Sequence, residues 1–356
     1  MFRFRLGWAL AIAGAWVIGS VQSSSFAAMV PVASFSLPAP SNVSFSTSAT
    51  FGPDGLIYAY DGLNVFKQNA LNSGSFTQIN TGTAGVAGSD AGPITFTSDG
   101  QKIVVSTATG GFDFSGNSNG LFQTLPAAGG AFSSPFNAKL ANTFAFKPLQ
   151  SSTVTNAANK LAVNFGNGDF GNPVTAVAYY DLTDAGAGSM TASKTVIGNI
   201  PGASTDVAFD GAGFYVGIGF GTNAGDIRRF DVSDLDNAYN TNTPLAFSDG
   251  ALINPGNGGD NSGAGIFVAD GSVFAGSGSG GGLVVIGPDG NSKVYNLGKG
   301  FAAIFYNPTN DEFAVTDFDG SVDVFKAIDF IPEPACIAIA GFVSLALLRR
   351  RGRRCA

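Results

Sequence analysis

No histidine occurs anywhere in the 356-residue chain. The side chain that most often serves as general base or metal ligand near neutral pH is therefore excluded from the chemistry of this protein. Cysteine is almost absent. Cys336 and Cys355 are the only two, both close to the C-terminus, so no disulfide network staples the rest of the chain. The only tryptophans, Trp8 and Trp16, lie near the N-terminus. Glutamate is limited to Glu312 and Glu333, and Arg228 and Arg229 are the only arginines between residues 6 and 348. With few Lys and Glu, 50 Gly, and many Ser, Thr, Asn and Asp, the composition favours strands and turns over helices, and no amphipathic segment of helical period stands out. The 32 Phe, with abundant Val and Ile, exclude a chain that has no core.

What is present is organised at both ends. Arg3 and Arg5 precede an apolar core from Leu6 to about Val21, and Ser25-Phe26-Ala27 supplies small residues at cleavage positions. Residues 1–27 are thus expected to be a secretory signal peptide cut near Ala27. At the other end, Pro332-Glu333-Pro334 blocks helix and sheet and should be extended. A fourteen-residue apolar run from Ala335 to Leu348 follows, then Arg349, Arg350, Arg351, Arg353 and Arg354, which favour a cytoplasmic C-terminus. Fourteen residues of helix reach about 21 Å, short of the roughly 30 Å hydrocarbon core, and snorkelling arginines with local thinning cover the difference.

The ordered triplet of Pro-Glu-Pro, apolar span and Arg cluster resembles the PEP-CTERM sorting signal. The resemblance covers only the tail, residues 331–356. It implies an exosortase-type processing enzyme as partner, transient attachment to the inner membrane, and export to the cell surface or extracellular matrix. A plain single-pass anchor is the alternative.

Removing both ends changes the molecule. The body, residues 28–330, holds no Trp, Cys or His. Of 18 Lys and Arg, two lie in the leader and five in the tail, leaving 11; of 25 Asp and Glu only Glu333 lies outside, leaving 24 and a net charge near −13. Such a surface repels phosphate backbones and excludes nucleic acid as a partner. Divalent cations, extracellular polysaccharide or a surface protein fit it better.

One phrase recurs through the body: an apolar pair, an Asp-Gly or Asn-Pro turn, a second apolar strand, a Gly-rich turn, and a third strand. The six copies centre on Phe51 to Phe66, Ile94 to Phe122, Phe144 to Tyr180, Val207 to Phe230, Ile266 to Ile286, and Ile304 to Phe325. Asp-Gly between apolar runs marks a hairpin. Phe76 to Ile79, Leu245 to Phe247 and Val294 to Asn296 read as fourth strands of their copies. The pattern predicts an all-β fold, a β-propeller of six blades, with seven blades or a β-sandwich as alternatives. The sixth copy has only three strands. Val32 to Leu37 is expected to supply the missing outermost strand and close the ring. The repeats resemble loose NHL-like or lactonase-like propellers, and the absence of Trp speaks against a WD-type one.

Catalysis in such a body would rest on carboxylates, amides or a hard cation. Glu312 falls in a hairpin turn of the sixth copy, which places it at a rim. Asp317 and Asp319 with Gly320 spell the opening of a calcium loop, and Asp231, Asp234 and Asp236 form a second acidic cluster. Neither continues into the remaining ligand positions, so both also read as solvated turns, and no cofactor other than Ca²⁺ is suggested. The stretches Gly217 to Gly221 and Gly276 to Gly282 lack the features of a phosphate cradle. Adjacent Arg228 and Arg229 should face opposite ways on one strand. Tyr58, Tyr60, Tyr179 and Tyr180 read as interblade packing. The expected function is non-enzymatic binding or scaffolding, with a carboxylate- or metal-dependent hydrolase or lyase in the central channel as the alternative.

Overall fold

The computed structural model describes residues 29–40, 47–84, 90–109, 119–134, 136–141, 153–155, 160–166, 174–181, 194–221, 223–254, 265–276, 282–297, 303–317 and 319–331. The chain divides into two compact units, Met1–Val30 and Pro31–Ala356. Of the first unit only Met29 and Val30 are described, so the leader lies outside the described residues, as does the tail from Pro332 onward.

The second unit is built from antiparallel meanders whose turns follow from local chemistry. At Asp54 the side chain accepts a hydrogen bond from the Leu56 amide at 3.2 Å, while Gly55 takes a φ of 77° that a side chain would resist. The same bond recurs two residues on from Asp61, Asp99, Asp289, Asn307 and Asp319. Each reverses the chain between two apolar strands.

The strands assemble into six separate sheets of the propeller type. From the inside outward, blade 1 is Ser48–Phe51, Ile57–Tyr60, Val65–Gln68 and Phe76–Gln78. Blade 2 is Asp90–Phe96, Lys102–Thr109, Asn119–Pro126 and Phe136–Ala141. Blade 3 is Thr153–Thr155, Lys160–Gly166, Val174–Asp181 and Lys194–Pro201. Blade 4 is Ala203–Phe209, Gly213–Phe220, Ile227–Asp231 and Ala251–Asn254. Blade 5 is Gly265–Ala269, Ser272–Gly276, Gly282–Ile286 and Ser292–Asn296. Blade 6 is Ala303–Asn307, Glu312–Thr316 and Ser321–Lys326, completed by the N-terminal strand β1, Ala33–Ser36. The six inner strands touch in succession, and the last touches the first. A sandwich and a seventh blade are thereby ruled out.

Closure takes the expected form. β1 pairs antiparallel with Ser321–Lys326, Ala33 opposite Val324 and Ser36 opposite Ser321, and the Leu37 amide donates to the Gly320 carbonyl at 2.9 Å. Leu37 is buried, and Phe35 leans on Phe76 of blade 1 at 6.2 Å between ring centroids. Across the same seam Asn307 Nδ2 donates to the Gly55 carbonyl at 3.1 Å, joining residues 252 positions apart. The apolar core lies in layers between neighbouring blades, for example Phe51, Ile57, Phe305, Ala314, Val322 and Val324 between blades 6 and 1.

Three expectations need correction. Leu245–Ala246 is a strand, but it pairs parallel with Ile197 and Gly198 on blade 3, and the outer strand of blade 4 is Ala251–Asn254. Between Asp231 and that strand the chain forms helix α1, Val232–Thr241, which buries Leu235 and Ala238 against blades 3 and 4. Its polar face made it illegible as a periodic segment; Leu235 and Ala238, with Val232 and Tyr239 half-buried beside them, hold it in place over blades 3 and 4. Finally, the inner strand of blade 3 is Thr153–Thr155; the expected Phe144 to Phe146 segment lies outside the described residues. Among the described residues no helix is long and apolar enough to cross a membrane.

Candidate functional site

The two ends of the channel differ in the residues that frame them. At the end where the inner strands begin, here called the mouth, the first residues are Ser48, Asp90, Thr153, Ala203, Gly265 and Ala303. All are small, and one is a carboxylate. At the other end, the rim of the first turns, Phe51, Phe96 and Phe209 terminate three of the six inner strands. Sheet twist and shared strand direction make this asymmetry common to all blades.

One buried carboxylate stands on an inner strand. Asp206 is 1% exposed, its Oδ1 accepts a hydrogen bond from the Val207 amide at 3.0 Å, and it lies opposite Gly217 of the next strand. Sequence reasoning passed over it. The available signal was a lone acid inside the apolar run from Asp206 to Phe209. Gly217 and Gly219 belong to that neighbouring strand, Gly213–Phe220, so they are packing glycines with no helix beside them to hold phosphate.

At the mouth of blade 1 a polar network surrounds Asp61, which is fully buried. Its Oδ1 accepts from the Leu63 and Asn64 amides at 2.8 and 2.6 Å, and its Oδ2 from Asn64 Nδ2 at 3.3 Å. Asn64 Oδ1 in turn accepts from Gln78 and Asn80 at 3.1 and 3.2 Å, and Asn80 donates to the Gly82 carbonyl at 2.6 Å. The network spends its acceptors on turn amides and side-chain amides, which is how a buried carboxylate is tolerated.

The expected acidic sites are occupied by local bonding. Asp319 Oδ1 accepts from the Ser321 amide at 2.8 Å, and the Asp317 amide donates to the Ser321 carbonyl at 2.8 Å, so the pair builds the second turn of blade 6. Asp231 pairs with Arg229 at 2.7 Å and Asp236 with Lys160 at 2.9 Å, while Asp234 lies in the first turn of α1, where a negative charge suits the helix dipole. Among the described residues, no three acidic side chains come together as a metal cluster. Glu312 opens the second strand of blade 6, nearly buried, with Lys326 Nζ 2.8 Å away, and so sits at the rim of the first turns, away from the mouth.

Arg228 and Arg229 do face opposite ways. Arg228 lies over the Phe247 ring at 5.1 Å and donates to the Gly250 carbonyl at 2.7 Å, on the blade 3 side. Arg229 lies beside Tyr215 on the blade 5 side. Tyr58, Tyr60 and Tyr179 are buried between blades, as expected; the side chain of Tyr180 lies outside the described residues.

A repeated motif occupies the rim of the first turns. In blade 1, Asp54 takes the Tyr58 hydroxyl at 3.1 Å and the Lys67 ammonium at 2.8 Å; in blade 4, Asp210 takes the Tyr215 hydroxyl at 2.6 Å, beside Arg229. Burial alone would raise the Asp54 carboxyl, but the Lys67 ammonium, the Leu56 amide and the Tyr58 hydroxyl outweigh it and hold its pKa below the usual value. Burial, then the hydrogen bond to Asp210, push the Tyr215 phenol up to about 12, and burial with Asp311 does the same to Tyr306. Both folded-state values lie above the ordinary 10.0. The stability that these phenols contribute is therefore complete below pH 10.0 and is lost as pH rises through about 12. Ultraviolet phenolate titration of the folded body should show Tyr215 and Tyr306 among the late-ionising tyrosines, with Tyr58 also raised by burial, and Asp210→Asn together with Asp311→Asn should move the first two part of the way back towards the ordinary value.

No protein-family model and no curated protein matches the chain. Among solved structures, an α-L-arabinanase of Penicillium chrysogenum, solved with arabinobiose, is similar at 12% identity and a TM-score of 0.52, over 85% of this chain and all of that one. A chain of the mitotic checkpoint complex is similar at 11% identity and a TM-score of 0.50, over 92% of this chain and 98% of that one. A gluconolactonase of Xanthomonas campestris aligns at 12% identity and a TM-score of 0.48, over 83% and 86%. At these identities the likeness concerns fold alone. The class is defined by the sheets themselves, a six-bladed β-propeller.

Proposed function

We propose that the protein is an exported propeller that acts by binding or scaffolding at the cell surface or in the extracellular matrix, after sorting and processing at its PEP-CTERM-like tail. The observation that carries the reading is that Asp319, Asp231 and Asp236, acids singled out as candidate ligands, are engaged in a turn or an ion pair. The two terminal segments supply export, and the acidic body keeps the processed protein soluble.

Mass spectrometry of the protein recovered from its producing cell tests the reading, with a mature chain expected to begin near Ala28 and to end near Pro332 to Pro334. A chain that still carries the Arg cluster would replace it with a membrane-anchored scaffold. The reading also requires no cation: the melting temperature of the body should be the same in Ca²⁺ and in chelator, and a rise in Ca²⁺ would restore Asp317 and Asp319 as ligands.

A hydrolase or lyase acting in the channel is the second reading, and Asp206 is the observation that favours it. Co-sedimentation of the processed body with extracellular polysaccharide, without release of product, supports binding. Product release that Asp206→Asn abolishes would establish the enzyme.

A further inference from the structure

Both ends of the propeller chain leave it at one rim. In blade 6 the third strand runs from the mouth at Ser321 to the rim of the first turns at Lys326, and β1 runs beside it in the opposite sense. The entry point is fixed at that rim by the Val32 amide, which donates to the Val324 carbonyl at 2.7 Å. The exit is fixed there too: the Ala327 amide donates to the carbonyl of Asp311, a first-turn residue, at 3.0 Å, and Lys326 Nζ donates to the Asn310 carbonyl at 2.9 Å. A 3-10 turn, Ala327–Phe330, then seats Phe330 among Phe313, Phe325 and Tyr295, and the described chain ends at Ile331.

Very little chain separates the exit from the tail read as membrane-inserted. Four residue steps lead from Ile331 to Ala335, where the apolar run starts. Fully extended, they reach about 14 Å. The two rims stand about 20 Å apart at about 3.3 Å per strand residue. This tether is too short to pass round the propeller and bring the mouth to the bilayer.

We infer that the rim of the first turns is the face this protein turns to the membrane during export and processing, and that the mouth faces away, towards its ligand. The inference rests on the proposed reading of the tail as a membrane-inserted segment. Its partner is a lipid bilayer, held close by a covalent tether at one rim and not by affinity. The rim itself carries Asp54, Asp99, Asp210, Asp270, Asp289, Asp311 and Glu312, of which Lys67 and Lys326 neutralise Asp54 and Glu312, and the remaining acids outnumber the nearby bases, so that anionic headgroups repel it. Cutting the tail therefore removes the attraction and leaves the repulsion, so that the body departs from the surface.

The test uses the full chain with Cys336→Ser and Cys355→Ser, reconstituted in phosphatidylcholine vesicles that carry a headgroup nitroxide. A single fluorophore is placed at Ser98→Cys on the rim of the first turns or at Thr83→Cys on the mouth side, with Gln101→Cys and Ala39→Cys as a second pair should either variant misfold; all four positions are exposed, and Ala39 follows Pro38, whose carbonyl accepts from Thr47 at the mouth. The expected result is severalfold stronger quenching at Ser98 and Gln101 than at Thr83 and Ala39, and none in a chain ending at Ile331. Equal quenching, or stronger quenching at the mouth, overturns the orientation while the tail reading stands. Failure of the full chain to associate with vesicles overturns the tail reading and the orientation with it.

Discussion

Deletion of residues 29–40 lowers the stability of the propeller by roughly 3–5 kcal/mol, the sum expected for exposing one Leu, half a Phe and several ladder hydrogen bonds. The segment supplies the fourth strand of blade 6, covers the apolar layer between blades 6 and 1 through Phe35 and Leu37, and bonds at both its ends to Val324 and Gly320. Against a typical domain stability of about 5–15 kcal/mol the loss is severe. It also leaves Ser321–Lys326 as an unprotected edge, which invites association between copies. Thermal melting and size-exclusion chromatography check both effects. A deletion variant that melts with the full body and stays monomeric would show that the ring does not depend on its N-terminal strand.

Phe313→Ala should cost about 3–5 kcal/mol, the range for truncating a fully buried aromatic residue. Phe313 is wholly buried and meets Phe267, Phe274, Phe325 and Phe330 with ring centroids 5.1 to 5.8 Å apart. It joins blade 5 to blade 6 and holds the 3-10 turn from which the tail departs. Phe330→Ala removes the other half of that latch and should cost nearly as much; because the two rings touch, the double variant should lose less than the sum. Val294→Ala, at a position 63% exposed, serves as the control and should stay within about 0.5 kcal/mol. Denaturant unfolding of the four proteins gives the comparison, and a Phe313→Ala loss no larger than that of Val294→Ala would remove the latch.

The repeat was legible because hairpin chemistry is local. An Asp or Asn side chain bonds an amide two residues on, or three in blade 4, glycine accepts the positive φ, and apolar runs flank the turn; these marks survive in blades 1, 2, 4, 5 and 6 without reference to the rest of the fold. Blade 3 was harder to read, since its inner strand, Thr153-Val154-Thr155, is short and carries one apolar residue. Leu245–Ala246 looked like any other apolar strand. Its partner is chosen by the insertion that carries it, because α1 packs on blade 3 and delivers the next residues to that edge. Asp206 was overlooked for a related reason: a carboxylate in a strand acquires its meaning from burial, and burial is a property of how blades stack.

The sequence by itself determined the all-β class, the recurring hairpin unit, the strand expected to close the ring, and the residue types that body chemistry must do without, since each depends on composition or on bonds between near neighbours; the ring contacts then fixed six blades against seven or a sandwich. The tertiary structure alone decided which edge each strand joins, that the acidic clusters are spent on turns and ion pairs, that Asp206 is buried beside the channel, and that both ends of the body leave from one rim. These depend on contacts between residues far apart in the chain, such as Asn307 with Gly55 and Val32 with Val324. Packing chooses such partners after local chemistry has made the strands.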